Sequence, residues 1–207
     1  LSKSLETNFL YPSFLKLEGR KVLVVGGGFV AYQKLTSLIE TKAKLVVIAP
    51  SIIDEIYDLE GEFPYKRYID FIERDYEWGD EKDAFMVIAA SNIPDLNLSI
   101  INRSKDQGIL ALSVDHPEES DFFVPSIASQ GDLKIAISTN GKAPGLAQAL
   151  RKTIQDRLLV PFAKYLPLVA NFRERLKSKY PDSKKRNKLI QRFTQRQVRK
   201  LEQELYA

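Results

Sequence analysis

The 207-residue sequence predicts an α/β protein with a doubly wound parallel sheet, then a small β-hairpin, then a C-terminal helical domain. Three observations lead to this prediction. Short apolar runs alternate with helical patterns through the first 113 residues, and the first run ends at three consecutive glycines. After Asp115 the pattern changes to two short strands, and from Leu146 onward the chain is helical.

The glycines lie in the most informative segment of the chain. Val22–Val25 is apolar and β-branched, as expected of a buried parallel strand. Gly26, Gly28 and Ala31 then occupy the small-residue positions of the pattern G-x-G-x-x-G/A. The first glycine permits a tight turn, the second lets a pyrophosphate approach the backbone, and the third small residue lets the helix pack on its strand.

A helical pattern from Val30 to Ile39 and a second apolar strand, Lys44–Ala49, complete a βαβ unit. The N–H groups and positive dipole end of that helix suit a phosphate. The sequence therefore predicts a Rossmann-type dinucleotide-binding domain in residues 1–113. A glycine-rich turn that binds nothing is the alternative interpretation.

The remaining elements continue the alternation and then leave it. Further strands are predicted in Pro64–Ile72, Ala84–Ala90 and Ile109–Val114, with a helix from Pro94 to Gln107. The hairpin is predicted from two strands around the turn at Gly131, Phe122–Ser129 and Leu133–Ser138. A helix is expected to begin at Pro144. Later helical pieces are expected to break at Pro161, Pro167 and Pro181.

The second strand ends unusually for a dinucleotide-binding protein. An Asp or Glu is expected there to bind the ribose hydroxyls. The sequence instead has Pro50 and Ser51, and the nearest acid is Asp54. We expect backbone groups or Ser51 to hold the ribose, and this position does not determine the choice between NAD and NADP.

Composition excludes several kinds of site. The chain has no cysteine, which excludes disulfides, thiolate metal sites and cysteine nucleophiles. His116 is the only histidine, so no metal site is predicted. No apolar run approaches the ~20 residues that span a bilayer, and no signal peptide is visible, which predicts a cytoplasmic protein without a membrane partner.

The net charge of +4 conceals a strong asymmetry. Residues 1–150 carry 15 Lys/Arg against 22 Asp/Glu (net −7), and residues 151–207 carry 16 against 5 (net +11). Such a basic segment favours an anionic partner, and nucleic acid, a membrane surface or a polycarboxylate ligand all fit. A solvated helical face is the other interpretation.

Three segments are expected to meet at the carboxyl ends of the parallel strands, where ligands bind in open α/β sheets. They are the glycine loop, the turn Ala89–Asn92, and Asp115 directly after a strand. A carboxylate beside a nicotinamide ring is well placed to exchange a proton, so Asp115 is the candidate catalytic residue. Capping of the loop before Pro117 is the alternative. His116 is a weaker candidate, because a lone histidine in a polar loop is usually solvated.

Ordered motifs extend over nearly all of residues 11–160. They are Tyr11–Leu17 (Y-P-x-F-L-x-L), the glycine loop with Lys34, the turn at Ser91, Val114–Pro117 (V-D-x-P), Phe123–Ser126 (F-x-P-S), Ile135–Pro144 (I-A-I-S-T-x-G-K-x-P) and Leu146–Arg151 (L-A-x-x-L-R). This series resembles the precorrin-2 dehydrogenase/sirohydrochlorin ferrochelatase family, the N-terminal module of siroheme synthase.

The resemblance implies an NAD-dependent oxidation of precorrin-2 to sirohydrochlorin, and in some members insertion of ferrous iron to give siroheme. It assigns the family's key aspartate to Asp115, as acceptor of the proton lost with the hydride. It also implies a homodimer that interlocks after Asp115. We therefore divide the rest of the chain into a dimerisation and active-site region, 114–145, and a basic helical domain, 146–207.

Individual contacts follow from the glycine motif, from the turn after the predicted strand Ala84–Ala90 and from the same resemblance. The cofactor contacts are predicted to be Gly26, Gly28, Phe29, Val30, Ala31, Pro50, Ser51 and Ser91. The substrate is a polycarboxylate tetrapyrrole, which the basic C-terminal segment would attract. The candidate substrate contacts are His116, Ser126, Lys142 and Arg151.

Three positions depart from the family's pattern. Ser113 replaces an Asn, Asn140 replaces the first glycine of a Gly-Gly pair, and Ala143 replaces a Ser. These positions flank the tetrapyrrole site, so they bear on iron chelation more than on dehydrogenation. Two alternatives stay open: a dehydrogenase-only member, and a non-catalytic nucleotide-sensing module whose basic helices bind nucleic acid. A tetrapyrrole, and not nucleic acid, is the predicted partner.

Overall fold

The computed structural model describes residues 10–62 and 69–206. The chain divides into two compact units, Leu1–Phe123 and Val124–Ala207. The boundary at Phe123 and Val124 falls inside the predicted region 114–145.

The first unit is a parallel sheet with helices on both faces. Its five strands lie in the order β3-β2-β1-β4-β5, and every pair of neighbours is parallel. This order confirms the predicted doubly wound, Rossmann-type sheet. The elements are β1 (Lys21–Val25), α1 (Phe29–Leu38), β2 (Lys44–Ala49), α2 (Asp54–Glu62), β3 (Ile69–Glu73), β4 (Met86–Ala89), α3 (Pro94–Asp106) and β5 (Leu110–Ser113).

The central strand β1 shows why the apolar runs are continuous. Val22 and Val24 pack with α1 and α2 in one layer, and Leu23 and Val25 pack with α3 in the other. Successive side chains of a strand point to opposite faces, and both faces are covered, so both sets must be apolar. Each such side chain contributes about 1.5–3 kcal/mol when it is removed from water.

The predicted strand boundaries hold to within a few residues. The strand predicted in Ala84–Ala90 is the shorter β4, because Ala84 and Phe85 lead into it from a turn. Of the strand predicted in Pro64–Ile72, residues 63–68 lie outside the described part of the chain, and the described strand is Ile69–Glu73.

The loop between β3 and β4 is closed by a buried carboxylate. The Glu81 side chain is fully buried and accepts hydrogen bonds from Tyr76 Oη (2.5 Å), the Gly79 amide (3.0 Å), Arg103 Nε and Gln107 Nε2 (2.8 Å). Burial by itself would raise the pKa of Glu81, but these hydrogen bonds outweigh it and lower the pKa to about 2. The loop is thereby joined to α3.

The second unit contains the predicted hairpin followed by helices. The antiparallel strands β6 (Ser126–Gln130) and β7 (Leu133–Ile137) are joined at Gly131, whose φ of 57° is left-handed. The helices are α4 (Pro144–Ile154), α5 (Val160–Ala163), α6 (Leu166–Lys179) and α7 (Ser183–Tyr206). None of the described helices is long and apolar enough to span a bilayer.

The predicted helix break at Pro161 is wrong. The chain stays helical from α4 into α5 through a π-helical turn, Gln155–Leu159, which ends two residues before this proline. A wider turn accommodates the missing N–H and the bulk of the proline ring without ending the helix. The break instead falls at Lys164 and Tyr165, so Pro167 lies in the first turn of α6. Pro181 does separate α6 from α7.

Candidate active site

Two of the three glycines after β1 are required by contacts within the protein. Gly26 has a φ of 133°, and a Cβ placed on it would lie 2.2 Å from the carbonyl oxygen of Ala90. A Cβ on Gly27 would lie 2.0 Å from the carbonyl oxygen of Ser51. The Gly27 carbonyl also accepts a hydrogen bond from the Ile53 amide, at 3.0 Å. The glycine loop therefore touches the chain that follows β4 and the chain that follows β2.

Gly28 differs, because its α-carbon faces open space. A Cβ placed there would meet no described residue other than its own chain neighbours within 4 Å. Gly28 is also the N-cap of α1, and no side chain caps this helix or places an acid in its first turn. The first N–H groups of α1 are thus left to an external acceptor. The open backbone and the helix N-terminus fit a pyrophosphate, as the sequence predicts.

The first turn of α1 presents one buried and two exposed apolar residues. Ala31 is fully buried in the core beneath the helix, which explains the small residue at the third position of the motif. Phe29 and Val30 are 61% and 43% exposed. Exposed apolar side chains beside an open helix N-terminus provide a surface for the non-phosphate parts of a dinucleotide.

The segment that follows β2 lies against the glycine loop. Pro50 and Ser51 are both exposed, and the Ser51 carbonyl is the group that approaches Gly27. This contact brings the predicted ribose-binding segment directly beside the glycine loop.

Ser91 lies in the turn after β4, and its polar groups are engaged within the protein. Its amide and its hydroxyl both reach Asn97 Oδ1, at 3.1 and 2.7 Å, and its carbonyl accepts a hydrogen bond from Asn97 Nδ2 at 3.0 Å. The hydroxyl also accepts a hydrogen bond from the Ile93 amide, at 3.2 Å. The observed role of Ser91 is therefore to hold the turn whose Ala90 carbonyl lies against Gly26.

Asp115 follows β5 and is exposed. Its carboxylate oxygen Oδ2 accepts a hydrogen bond from Asn97 Nδ2 at 2.6 Å. The turn that carries it is held by Ser113, which is buried and whose hydroxyl accepts hydrogen bonds from the amides of Asp115 (3.3 Å) and His116 (3.2 Å). Ser120 closes the loop, since its hydroxyl donates to the His116 carbonyl at 3.0 Å. Asp115 is thus held at the carboxyl edge of the sheet.

His116 points partly into the protein. Its side chain is 26% exposed, its Nδ1 lies 3.6 Å from Glu118 Oε1, and its Nε2 is buried with no hydrogen-bond partner among the described residues. Its predicted contact with substrate stays a prediction.

The remaining substrate candidates lie in the second unit. Ser126 is half-buried at the start of β6, Lys142 is exposed in the loop before α4, and Arg151 is half-buried on α4. Their predicted contacts with substrate also stay predictions.

The first unit therefore assembles Gly26, Gly28, Ser51, Ser91 and Asp115 at one edge of the sheet, as sequence reasoning expected. It also shows two residues that this reasoning missed. Gly27 occupies a position of the motif that any residue can fill, so the motif did not single it out. The run of three consecutive glycines was the sequence signal for it. Asn97 carries no sequence signal, because its role depends on a contact with a residue 18 positions away.

Comparison with known families agrees with this geometry. A family model described as "Putative NAD(P)-binding" matches residues 13–126. The chain belongs to this NAD(P)-binding family. The match confirms the predicted dinucleotide cofactor and extends from before the glycine loop to the start of the hairpin. A second family model, "Sirohaem biosynthesis protein central", matches residues 130–157.

Similar proteins confirm the resemblance to siroheme synthases. The chain is 30% identical to the siroheme synthase of Thioalkalivibrio sulfidiphilus over 191 residues, which cover 92% of this chain and 38% of that protein. It is 35% identical to the siroheme synthase of Ectopseudomonas mendocina over 175 residues, covering 84% and 37%. The chain spans little more than a third of the length of these relatives.

Among solved structures, "SirC, precorrin-2 dehydrogenase" has the same fold. The two structures superpose with a TM-score of 0.76 at 22% sequence identity, covering 95% of this chain and 99% of that chain. This similarity confirms the predicted combination of parallel sheet, hairpin and C-terminal helices.

Proposed function

We propose that this chain oxidises precorrin-2 to sirohydrochlorin with NAD as the hydride acceptor. The observation that carries the proposal is the arrangement at the carboxyl edge of the sheet. An open glycine loop and the Asp115 carboxylate belong to one unit and are connected through Asn97 and the turn at Ser91. The siroheme synthase relatives support the choice of substrate.

The reaction removes two electrons as a hydride, together with one proton. Bound NAD would supply the two-electron acceptor. Asp115 would take the proton: one carboxylate oxygen is held by Asn97, and the other has no hydrogen-bond partner among the described residues. A positioned base of this kind typically contributes about 10²–10⁴-fold to a rate.

The acidic edge beside β2 favours NAD over NADP. Asp54 and Glu55 form the first turn of α2, and Glu73 ends β3, the strand that pairs with β2. Among the described residues, Arg74 follows β3 at this edge, and its guanidinium is already bound to both carboxylate oxygens of Asp80, at 2.7 and 2.8 Å. A 2′-phosphate near the end of β2 would therefore meet negative charge from the described residues.

The second unit is proposed to attract the carboxylates of the tetrapyrrole, with Ser126, Lys142 and Arg151 as contacts. Within the first unit, His116 is proposed separately as a substrate contact. The 16 Lys/Arg against 5 Asp/Glu in residues 151–207 provide the attraction. Four of the basic residues on α7 share a face with Gln195 and Gln203: Arg192, Arg196, Arg199 and Lys200 line a concave surface of about 390 Å³.

We further propose a homodimer formed through region 114–145 and α4. The β6–β7 hairpin packs beside α4, and the side chain of Gln155 binds the amide and the carbonyl of Ser129 at 2.9 and 3.0 Å. Ile127 on β6 and Leu146 and Leu150 on α4 are large exposed apolar residues. A second copy of the chain that covered them would remove this apolar surface from water.

The test is an anaerobic assay with precorrin-2 and NAD that follows NADH and sirohydrochlorin. The wild-type chain is expected to form both, and Asp115→Ala is expected to lower the rate at least about 100-fold with NADH binding retained. Asp106→Ala, at the far end of α3, is the matched control and should keep the wild-type rate. NADH formation by Asp115→Ala at the wild-type rate would contradict the assignment of Asp115.

Two additions to the assay decide between the open alternatives. Ferrous iron added after oxidation gives siroheme only if the chain is also a chelatase, and sirohydrochlorin alone identifies a dehydrogenase-only protein. Titration with duplex DNA tests the nucleotide-sensing alternative. Tight binding that weakens steeply with salt, together with no NADH formation, would favour that alternative over the enzyme.

A further inference from the structure

Asn97 is the polar side chain that connects the two parts of the site. It lies one residue beyond the first turn of α3, is fully buried, and has every hydrogen-bonding position of its amide used. Oδ1 accepts from the Ser91 amide and hydroxyl, and Nδ2 donates to the Ser91 carbonyl and to Asp115 Oδ2. An Asn side chain offers two donors and two acceptor lone pairs, so this amide is fully satisfied.

These four partners determine which way the amide faces. If the oxygen and nitrogen were exchanged, Oδ1 would face the Ser91 carbonyl and the Asp115 carboxylate, and Nδ2 would face the Ser91 amide. All of these contacts would be repulsive, and a buried polar group without a partner costs about 1–3 kcal/mol. The donor is therefore held toward Asp115.

The hydrogen bond from Asn97 restrains the Asp115 side chain. The Asp115 side chain is exposed, and an exposed side chain samples several rotamers unless a partner holds it. On the opposite side, Asn97 holds Ser91, whose neighbour Ala90 lies against Gly26. Asn97 thus ties the carboxylate and the wall of the glycine loop to the same amide.

We propose that Asn97 is a positioning residue, which holds the Asp115 carboxylate at a set place relative to the dinucleotide loop. The inference rests on the proposed function, because it gives Asn97 an effect on the rate of proton removal. A purely structural role, in which Asn97 only fills the core and anchors the Ser91 turn, predicts loss of stability or of NAD binding instead.

The kinetic test uses two variants and one control. Asn97→Leu removes all four hydrogen bonds. Asn97→Asp, assayed at pH 8, keeps an oxygen toward the Ser91 amide and hydroxyl but loses the donor to the Ser91 carbonyl and to Asp115. Ser99→Ala removes a hydroxyl that donates to the Leu96 carbonyl of the same helix, at 2.8 Å, and should behave as wild type. If Asn97→Leu does not fold, Asn97→Asp carries the test.

Both Asn97 variants are expected to lower kcat about 100-fold and to change the KM for NAD less than about threefold, because misplacing a reacting group by about 1 Å has an effect of this size. In an Asp115→Asn background the same substitutions should lower kcat less than about threefold further. An equal loss in both backgrounds, or a change confined to KM, would overturn the inference.

A measurement independent of turnover separates this inference from the proposed function. If the wild-type chain forms no NADH from precorrin-2, the proposed function fails. Hydrogen exchange of the Asn97 side-chain amide, followed by NMR, then decides the inference alone. Exchange at least about tenfold faster in Asp115→Ala than in wild type supports the tether, and unchanged exchange overturns it.

Discussion

Gly27 and Gly28 are adjacent in the sequence but face different surroundings. An added methyl group should therefore have a different effect at each position. An alanine at position 27 would press on the backbone after β2. The Cβ of an alanine at position 28 would meet no described residue beyond its chain neighbours within 4 Å, and the backbone there is ordinary, with a φ of −97°. We expect Gly27→Ala to lower stability and Gly28→Ala to lower dinucleotide affinity.

The magnitude for Gly27→Ala follows from the contact distances. The new Cβ would lie 2.0 Å from the Ser51 carbonyl oxygen and 2.9 Å from the Ile52 α-carbon. Favourable contact between non-bonded atoms begins at about 3.5 Å, so the glycine loop and the chain after β2 must move apart by more than about 1 Å. Overpacking costs about 1–3 kcal/mol when side chains can adjust, and we expect about 3 kcal/mol here because backbone must move. The Tm should fall by about 6–12 °C.

Gly28→Ala should change the stability little and weaken dinucleotide binding strongly. Replacing a glycine N-cap by alanine costs at most about 1 kcal/mol, so the Tm should change by less than about 4 °C. The methyl group would occupy the space in which a pyrophosphate approaches the backbone. We therefore expect the Kd for NADH to rise at least about 100-fold.

Thermal unfolding and fluorescence titration with NADH measure both effects on the same samples. Gly145→Ala is the matched control, because its Cβ also meets nothing within 4 Å and it lies on α4 of the second unit. It should leave the Kd for NADH unchanged and should not lower the Tm, because alanine is favoured over glycine within a helix. NADH binding by Gly28→Ala with the wild-type Kd would refute the placement of the pyrophosphate, and an unchanged Tm in Gly27→Ala would refute the loop geometry.

Three further predictions concern pH, cofactor choice and assembly. Glu81 has a pKa of about 2 in the folded chain against 4.5 for the free group, so its stabilising effect is complete above about pH 4.5 and is lost as the pH falls toward 2. The difference in unfolding free energy between wild type and Glu81→Gln should therefore shrink over that range in denaturant titrations at several pH values, and a constant difference would contradict it. The double substitution Asp54→Asn with Glu73→Gln should lower the preference for NAD over NADP in binding titrations, and an unchanged preference would remove the acidic edge as its cause. Leu150→Glu should convert a dimer to a monomer in sedimentation equilibrium, and a monomeric wild type would contradict the proposed assembly.

Sequence reasoning succeeded where the signal is local. The strand before the glycines, the helix after them and the strand at Lys44–Ala49 are each specified by the period of their own apolar residues. Asp115 could be placed at the carboxyl edge of the sheet because it directly follows a strand. The helix break at Pro161 was wrong because a proline in a local pattern does not reveal a wider helical turn before it.

The amino-acid sequence alone thus determined the parallel sheet, the dinucleotide loop and the acid beside it, because periodicity and motif spacing act over a few residues. The packing of distant segments settles which glycine faces the protein and which faces open space, and that Asn97 holds Asp115. Those facts depend on close approaches between segments far apart in the chain. The distances there are set by how the strands and helices pack together, and no local pattern encodes them.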